Sequence, residues 1–420
     1  MLRVDDDQRR RVVGFILFGL CLIGFGLRTQ NINWDAGTHQ HPDERFWTIV
    51  TDGVSSPDGI ADYFDSDNSA FNPYNNDFPT FVYGTWPLGL TKATATWLQQ
   101  DGPVASTLTK AFDAGGVDLR SDDGPRFNNQ YDSQLIGRLL SALFDTATIL
   151  VVFAIGRRLS GTTAGLLGAG LQTFAVLHIQ YSHFYGSETL AAFAASVAVL
   201  LALRIAGGDT RTRILAATGT AVGFAVAAKL STVAVVSAPV GAIVVASWSE
   251  LRRSVHAVVT TITQLSFFGL VSVAIFRVLQ PYAFGQQFGL KLDQRYLDDL
   301  DYLTGINDGS SNVPWTVQWI GKSGLTYPLK SAALWGMGPA LAVAVALGVT
   351  IGAMLLVRRR RTYWVVPLLF LAVEVVLVSR QFNGLIRYLL PAYPTAIAVG
   401  GVGLAYVIRG AMGPPKQRFR

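Results

Sequence analysis

The sequence predicts an all-α integral membrane protein with about ten transmembrane helices and two large external loops that carry helices lying in the membrane interface. Three observations point there. Half of the 420 residues are hydrophobic and only 15% are charged, too apolar for a soluble domain of this length. Uncharged apolar runs long enough to cross about 30 Å of hydrocarbon recur along the chain. Basic residues gather in alternate gaps between those runs.

The runs, in order, are Val12 to Leu27, Leu139 to Ile155, Ala164 to Leu177, Thr189 to Leu203, Ile214 to Ala228, Leu230 to Ser249, Ala257 to Phe276, Ser331 to Val357, Thr362 to Ser379 and Tyr388 to Ile408. The first follows a basic segment, as a cleaved signal peptide would. Leu27-Arg28-Thr29 offers no small-residue cleavage site, so the reading keeps it as a helix. Cys21 lies alone inside that helix, which removes disulfides, cysteine-based metal sites and thiol nucleophiles from consideration.

Charge sets the expected orientation. With the N-terminus inside, the cytoplasmic pieces hold Arg3, Arg9 to Arg11, Arg157, Arg158, Arg204, Arg211, Arg213, Arg252, Arg253, Arg358 to Arg361, Arg409, Lys416, Arg418 and Arg420. These are 19 of the 34 basic residues, and they share those pieces with five acids, Asp5, Asp6, Asp7, Asp209 and Glu250. The inside is then +14 and the outside −8. The reading is a multi-pass protein of the cytoplasmic-type membrane with both termini cytoplasmic. The net charge of +6 is a topology signal, and nucleic acid is not an expected partner.

Most gaps are short, and two are long. The first external loop runs from 28 to 138 and the second from 280 to 330. Within the first, Glu44 to Val50 and Trp86 to Gln99 pattern as interfacial helices, with Phe46, Trp47, Trp86 and Trp97 as headgroup-level anchors. Asp58 to Asp77, acidic and rich in Asn and Ser, is expected to face water. No internal repeat is evident, and residues 1–420 read as one integral domain.

The chemistry-bearing residues concentrate in Trp34 to Arg45, just after the first helix. Asp35, Asp43 and Glu44 could take a proton from a hydroxyl or hold a cation, with His39 and His41 among them. The plainer reading is a helix start, with Pro42 in the first turn and acids favoured by the positive helix end; both readings can hold together. Arg138 and Arg387 each open an apolar span at its external end, where a guanidinium can bind phosphate with two parallel hydrogen bonds or simply reach for headgroups. Lys229 is a further cation in a turn with almost no other charge. Asp145 and Glu374 fall inside spans, where an ionised carboxylate is costly, so neither is expected to face lipid. Asp145 lies seven residues after Arg138 and could orient it or bond a neighbouring helix; Glu374 could meet a cation from an external loop. His183 and Glu188 sit at the outer mouth between the third and fourth spans, as sugar or acceptor contacts or as interfacial and capping groups. The His and acid spacing matches no zinc signature, so no metal site is assigned. Gly-rich phosphate loops and dinucleotide fingerprints are absent, which argues against nucleoside-diphosphate sugars.

Several patches resemble the GT-C superfamily of polyprenyl-phosphate-sugar-dependent glycosyltransferases, in particular the protein O-mannosyltransferases and lipid A aminoarabinose transferases. They are His41-Pro42-Asp43-Glu44; Asn72-Pro73-Tyr74 with Phe81 to Leu88; Gly137 to Asp145; Tyr181-Ser182-His183-Phe184; and Arg387 to Pro391. Glu188 stands where many relatives have Asp. The resemblance implies an inverting transferase at the outer membrane face, in which an acid of the first external loop acts as base on an acceptor hydroxyl. Asp43 is the first choice for that base and Glu44 the second. Asp35, Arg138, His183, Glu188, Arg387 and Tyr388 would contact substrate. The implied partners are a polyprenyl-phosphate-linked sugar, a protein, lipid or glycan acceptor, and membrane lipids. No cofactor is assigned, although a divalent cation held by carboxylates, as in oligosaccharyltransferases, stays open. The alternative is a polytopic transporter or flippase, because ten helices with buried acids would suit a proton-coupled carrier; long acidic external loops and short basic inner ones argue against it.

Overall fold

A computed structural model describes residues 6–99, 102–114, 133–311 and 313–411. Part of the first external loop and the charges of Arg3, Asp5, Lys416, Arg418 and Arg420 lie outside the described residues. The helices are α1 (Asp6–Thr29), α2 (Pro42–Gly53), α3 (Ile60–Tyr63), α4 (Thr85–Gln99), α5 (Pro103–Ala114), α6 (Ser133–Ser160), α7 (Thr162–Thr173), α8 (Val176–Ser182), α9 (Glu188–Ala206), α10 (Thr212–Ala228), α11 (Ser237–Leu251), α12 (Val255–Leu279), α13 (Gln294–Asp308), α14 (Thr326–Ser331), α15 (Pro339–Arg359), α16 (Val365–Ser379) and α17 (Tyr393–Ala411). Among the described residues the only β pairing is an isolated bridge between Phe284 and Leu292.

Each apolar run of the sequence lies largely within a helix or a pair of adjoining helices, and the chain is a multi-pass membrane protein. Among the described residues eight helical segments are long and apolar enough to cross a membrane, and α7 with α8 forms a ninth candidate bent by 53°. Ten spans are therefore not reached on length. The run from Ile214 to Ala228 forms α10, an apolar helix of 17 residues covering roughly 26 Å, at the short limit for a crossing.

The core is built from small residues. Ala195, Ala198 and Ala202 of α9, Ala225 of α10, and Ala398 and Val402 of α17 are all fully buried, which lets backbones approach closely as packing between helices in lipid requires.

The break between α7 and α8 has a specific support. Residues at the C-terminus of a helix leave carbonyls without intrahelical partners, and here the Arg28 guanidinium supplies donors: Nη2 to Gln172 O at 3.0 Å and Nη1 to Thr173 O at 3.1 Å. The Arg28 charge is met by Asp145, Nε to Oδ2 at 2.6 Å, while the other oxygen of Asp145 meets His178 Nδ1 of α8 at 2.5 Å. Arg28, Asp145 and His178 are all fully buried. Asp145 thus bonds neighbouring helices, and Arg138 is not its partner.

The two long loops pack on one another. Glu44 to Val50 and Trp86 to Gln99 are helical, within α2 and α4. Trp47 is not a headgroup anchor, however: it is 1% exposed and packs on Phe81, Tyr83 and Tyr185, whereas Trp97 is 41% exposed. The Asn72-Pro73-Tyr74 patch is tied to the second loop through Asp299 of α13. Its Oδ2 accepts from Tyr74 Oη at 2.5 Å and from Phe81 N at 2.9 Å. Gln280 Oε1, at the end of α12, accepts from Thr85 N at 2.5 Å and so fixes the start of α4. Gly84 is required here, since a Cβ at that position would overlap the Ala227 and Ala228 carbonyls at the end of α10.

Candidate active site

The site begins with the start of α2. His41 is the N-cap: its Nδ1 accepts from Glu44 N at 3.2 Å, Pro42 occupies the first turn, and the imidazole stacks on Phe184 with centroids 4.3 Å apart. The helix-start reading of His41 to Glu44 therefore holds. It also sends the two acids in different directions, because consecutive residues on a helix point about 100° apart.

Glu44 turns inward. Its carboxylate takes two parallel bonds from Arg138, Nε to Oε1 at 2.6 Å and Nη2 to Oε2 at 2.8 Å, and Oε1 also accepts from Tyr185 N at 2.8 Å. Arg138 Nη1 donates to Asp35 Oδ1 at 3.0 Å and to Ile32 O at 2.8 Å. Asp35 is completed by Gln134 Nε2 at 3.1 Å, and the Arg138 guanidinium lies over the Trp34 ring at 5.1 Å. Burial alone would push the Asp35 carboxyl up, but the Arg138, Gln134 and Gln40 hydrogen bonds hold it below its ordinary value. Glu44 and Arg138 are 0% exposed and Asp35 is 4% exposed. This clamp corrects two expectations. Glu44 has no face open to an acceptor, and the Arg138 donors are spent on protein, so neither is placed to act as base or to hold a lipid phosphate. Gly137 permits the arrangement, since a Cβ there would overlap the Tyr185 ring.

Asp43 turns the other way, to Arg387, with Arg387 Nη1 donating to Asp43 Oδ2. These side chains stay accessible, Asp43 at 33% and Arg387 at 22%. Arg387 Nε has no partner among the described residues and remains a free donor. Next to this pair, Lys229 Nζ meets Glu188 Oε1 at 2.9 Å, and Lys229 lies over the Tyr388 ring at 5.4 Å. Arg387 is 5.9 Å from the same ring and within electrostatic reach of Glu188. Tyr83 completes the group. Its hydroxyl is held well above the ordinary tyrosine value by burial and by the negative charges of Asp43 and Glu188.

The structure thus brings together Asp43, Arg387, Glu188, Tyr388 and Lys229, and sets Asp35, Glu44 and Arg138 behind them. His183 belongs to neither group. Its two ring nitrogens face the carbonyls of Ile179 at 2.7 Å and Gln30 at 3.0 Å, tying α8 to the end of α1. Glu374 meets no loop cation: it is 2% exposed, and neither carboxyl oxygen has a hydrogen-bond partner among the described residues. It lines an apolar cavity of about 260 Å³ between α15, α16 and α17. Tyr83 lies within the Phe81 to Leu88 patch but was given no role from sequence, and Asp299, which bonds Tyr74 and Phe81, was not singled out. Among the described residues no group of three or more His, Cys, Asp or Glu is arranged to hold a metal ion.

Comparison with known proteins fits this geometry. Residues 131–276 match the family model described as dolichyl-phosphate-mannose-protein mannosyltransferase. The Archaeoglobus fulgidus oligosaccharyltransferase, solved in complex with Zn and sulfate, superposes with a TM-score of 0.56 at 13% identity over 94% of this chain and 49% of its own. The fold is that of the GT-C glycosyltransferases. The same archaeal enzyme tethered to an acceptor peptide superposes with a TM-score of 0.50 at 15% identity, covering 96% of this chain and 52% of its own. ArnT from Cupriavidus metallidurans overlays at 0.45 and 16% identity, covering 86% of this chain and 57% of its own, too loosely to carry an argument. This chain spans about half the length of the oligosaccharyltransferase it matches. No curated protein sequence matches it.

Proposed function

We propose that this chain transfers a sugar from a polyprenyl-phosphate-linked donor to an acceptor hydroxyl, with inversion, at the outer face of the cytoplasmic-type membrane. The observation that carries the reading is the accessible cluster of Asp43, Arg387, Lys229 and Glu188 at the foot of the two long loops. It combines an acid with two cations, which is what expulsion of a phosphate by a hydroxyl requires. The family description supports the donor class, since dolichyl-phosphate-mannose is a polyprenyl-phosphate sugar. The excess of arginine in the opposite loops supports the orientation, with both termini cytoplasmic.

In this reading the acceptor oxygen attacks the anomeric carbon while the bond from that carbon to the phosphate oxygen breaks. The bonding pair leaves on the phosphate, and Asp43 takes the acceptor proton. Arg387 and Lys229 stabilise the charge that develops on the phosphate. Glu188 holds Lys229 in place, Tyr388 lies beneath both cations, and the Asp35–Arg138–Glu44 clamp fixes the α2 turn that presents Asp43. A divalent cation is not needed for this arrangement. The fold of a GT-C enzyme gives the carrier alternative no specific support.

Purified protein incubated with a panel of radiolabelled polyprenyl-phosphate sugars and native membrane extract tests the reading. Transfer or donor hydrolysis by wild type, lost in Asp43→Asn while donor still binds, is the expected result. Folded wild type that neither turns over nor binds any donor of the panel would overturn it.

A further inference from the structure

At the other end of the bundle is a second pocket that glycosyl transfer does not use. Arg138 and Arg157 lie on the same helix, α6, roughly 28 Å apart along its axis at 1.5 Å per residue. Around Arg157 a cavity of about 380 Å³ opens between α1, α6 and the start of α7. Its rim carries Arg9, Arg10 and Arg157, its floor includes Leu17 and Phe153, and Thr162, the first residue of α7, closes one side.

Three features set this pocket apart from an ordinary solvated basic face. First, among the described residues the three arginines are not paired with an acid, although Asp6 and Asp7 precede Arg9 and Arg10 by a turn and Asp7 faces Arg11 instead. Elsewhere at this end Arg204 and Arg211 share Asp209, at 2.8 Å and 2.7 Å, while Arg158 and Arg409 donate to the Leu203 and Ser160 carbonyls. Among the described residues Arg9, Arg10 and Arg157 form no ion pair, and Arg157 is engaged only with the face of Phe153 at 5.9 Å. Like charges set around a common cavity repel unless an anion joins them. Second, α7 begins here without a side-chain cap, so the positive end of a 12-residue helix adds to the field. Third, the pocket is amphiphilic. Its charges stand at the mouth and its floor is aliphatic and aromatic; Gly14, which also lines it, leaves the wall open, with nothing within 4 Å of where a Cβ would stand.

Guanidinium forks match phosphate oxygens, and an apolar floor beneath them matches an acyl chain. We propose that this pocket binds an anionic phospholipid of the leaflet at this end, its phosphate among Arg9, Arg10 and Arg157 and a chain against Leu17 and Phe153. Basic pockets between membrane helices suit such headgroups. The bound lipid has a structural task. α1 is held weakly by protein, with only 11% of its apolar window buried against 56% for α6, and a lipid wedged between α1, α6 and α7 ties it down. α1 is also the helix that brings Arg28 to the α7–α8 break, so its seating matters to the whole bundle.

The test uses full-length protein, purified in mild detergent and mixed with phosphatidylglycerol or phosphatidylcholine, with lipid retention read by native mass spectrometry and thermal stability in parallel. Wild type is expected to retain phosphatidylglycerol over phosphatidylcholine and to melt higher with it. Arg9→Gln/Arg10→Gln/Arg157→Gln is expected to weaken that preference on the order of 100-fold, from about 1 kcal/mol per basic residue near an anionic lipid. Arg252→Gln/Arg253→Gln, which removes charge away from the pocket, should keep it. Arg9→Lys/Arg10→Lys/Arg157→Lys separates charge from fork geometry and should retain the lipid less well than wild type. Equal retention of the two lipids by wild type, or undiminished phosphatidylglycerol binding by the triple glutamine variant, would overturn the proposal. Inorganic phosphate that stabilises as well as the lipid does would show a free-anion site and overturn the lipid assignment.

Discussion

Asp43 and Arg387 are 344 positions apart in the chain and form an ion pair at the centre of the accessible cluster. The pair joins the start of α2 in the first external loop to the 3₁₀ turn (Ile386–Ala392) that leads into α17, the last described helix. Acid and cation are thereby presented together, each still partly exposed, while the better-made Glu44–Arg138 pair is sealed from substrate. Two neighbouring acids of one motif thus face different arginines, one accessible and one buried.

The cations of the cluster are expected to act on donor and not on fold. Arg387→Ala and Lys229→Ala should each lower kcat by about 10²- to 10³-fold, the range for removing one group that stabilises developing negative charge. Arg387→Lys should recover only part of this, because the ammonium keeps the charge and loses the fork. Glu188→Gln should lower kcat in the same direction as Lys229→Ala but less, since Glu188 works by holding Lys229. Steady-state kinetics on a polyprenyl-phosphate sugar read all four; variants that all match wild type would remove the cluster from the mechanism.

The clamp behind the site makes the opposite forecast. Arg138→Met leaves Asp35 and Glu44 buried without a counter-charge, with Gln134, Gln40 N and Tyr185 N as the remaining hydrogen-bond donors among the described residues, and should destabilise by about 3–5 kcal/mol. Asp35→Asn/Glu44→Gln/Arg138→Met, which removes all three charges, should be more stable than Arg138→Met alone. Melting of the two variants in detergent checks the order, and the reverse order would mean that the three charges do not act as a buried unit.

Stability should also carry a pH signature from Asp299. Burial holds this carboxyl above its ordinary value of 3.8, although the Tyr74 and Phe81 hydrogen bonds pull the other way. The folded state therefore binds that proton more tightly than the unfolded chain does. The favourable contribution is full below about pH 3.8 and is lost as pH rises through the raised value. Asp299→Asn has no such proton and keeps an oxygen to accept from Tyr74 and Phe81. Melting curves between pH 4 and 7 should show the variant gaining on wild type as pH increases; parallel curves would remove Asp299 as the source.

Much of this was legible in the residues. Apolar runs located every long helix, because a membrane span must satisfy its backbone internally and so leaves a continuous signal. Arg387, Glu188 and Lys229 could be singled out because charge at the end of an apolar run is conspicuous, and Asp43 because it stands in the acid and histidine cluster that follows the first helix and resembles the family motif. The division of labour between Asp43 and Glu44 could not be read, since it depends on which way the first turn of α2 faces. Nor could the partner of Asp145: a spacing of seven from Arg138 pointed along one helix, while the true partner, Arg28, comes from another. Trp47 was misplaced for a similar reason, as composition shows that an aromatic is near the interface but not whether a second loop covers it.

The Arg28–Asp145–His178 group gives the last prediction. Arg28 does two jobs at once, neutralising Asp145 and giving hydrogens to the Gln172 and Thr173 carbonyls at the end of α7. Arg28→Ala leaves the buried Asp145 carboxylate with His178 as its remaining partner and the two carbonyls without those donors, and should destabilise by about 3–5 kcal/mol. Arg28→Lys keeps a charge near Asp145 but cannot bridge both carbonyls, so it should fall between alanine and wild type. Asp145→Asn removes that acid from the comparison. In the Arg28→Ala background it should restore part of the lost stability, because the penalty for a buried carboxylate without Arg28 disappears while the uncapped carbonyls remain. Thermal melting of Arg28→Ala with and without Asp145→Asn measures that coupling. Strict additivity of the two substitutions would show that Asp145 does not depend on Arg28, and that the bend between α7 and α8 is held by packing alone.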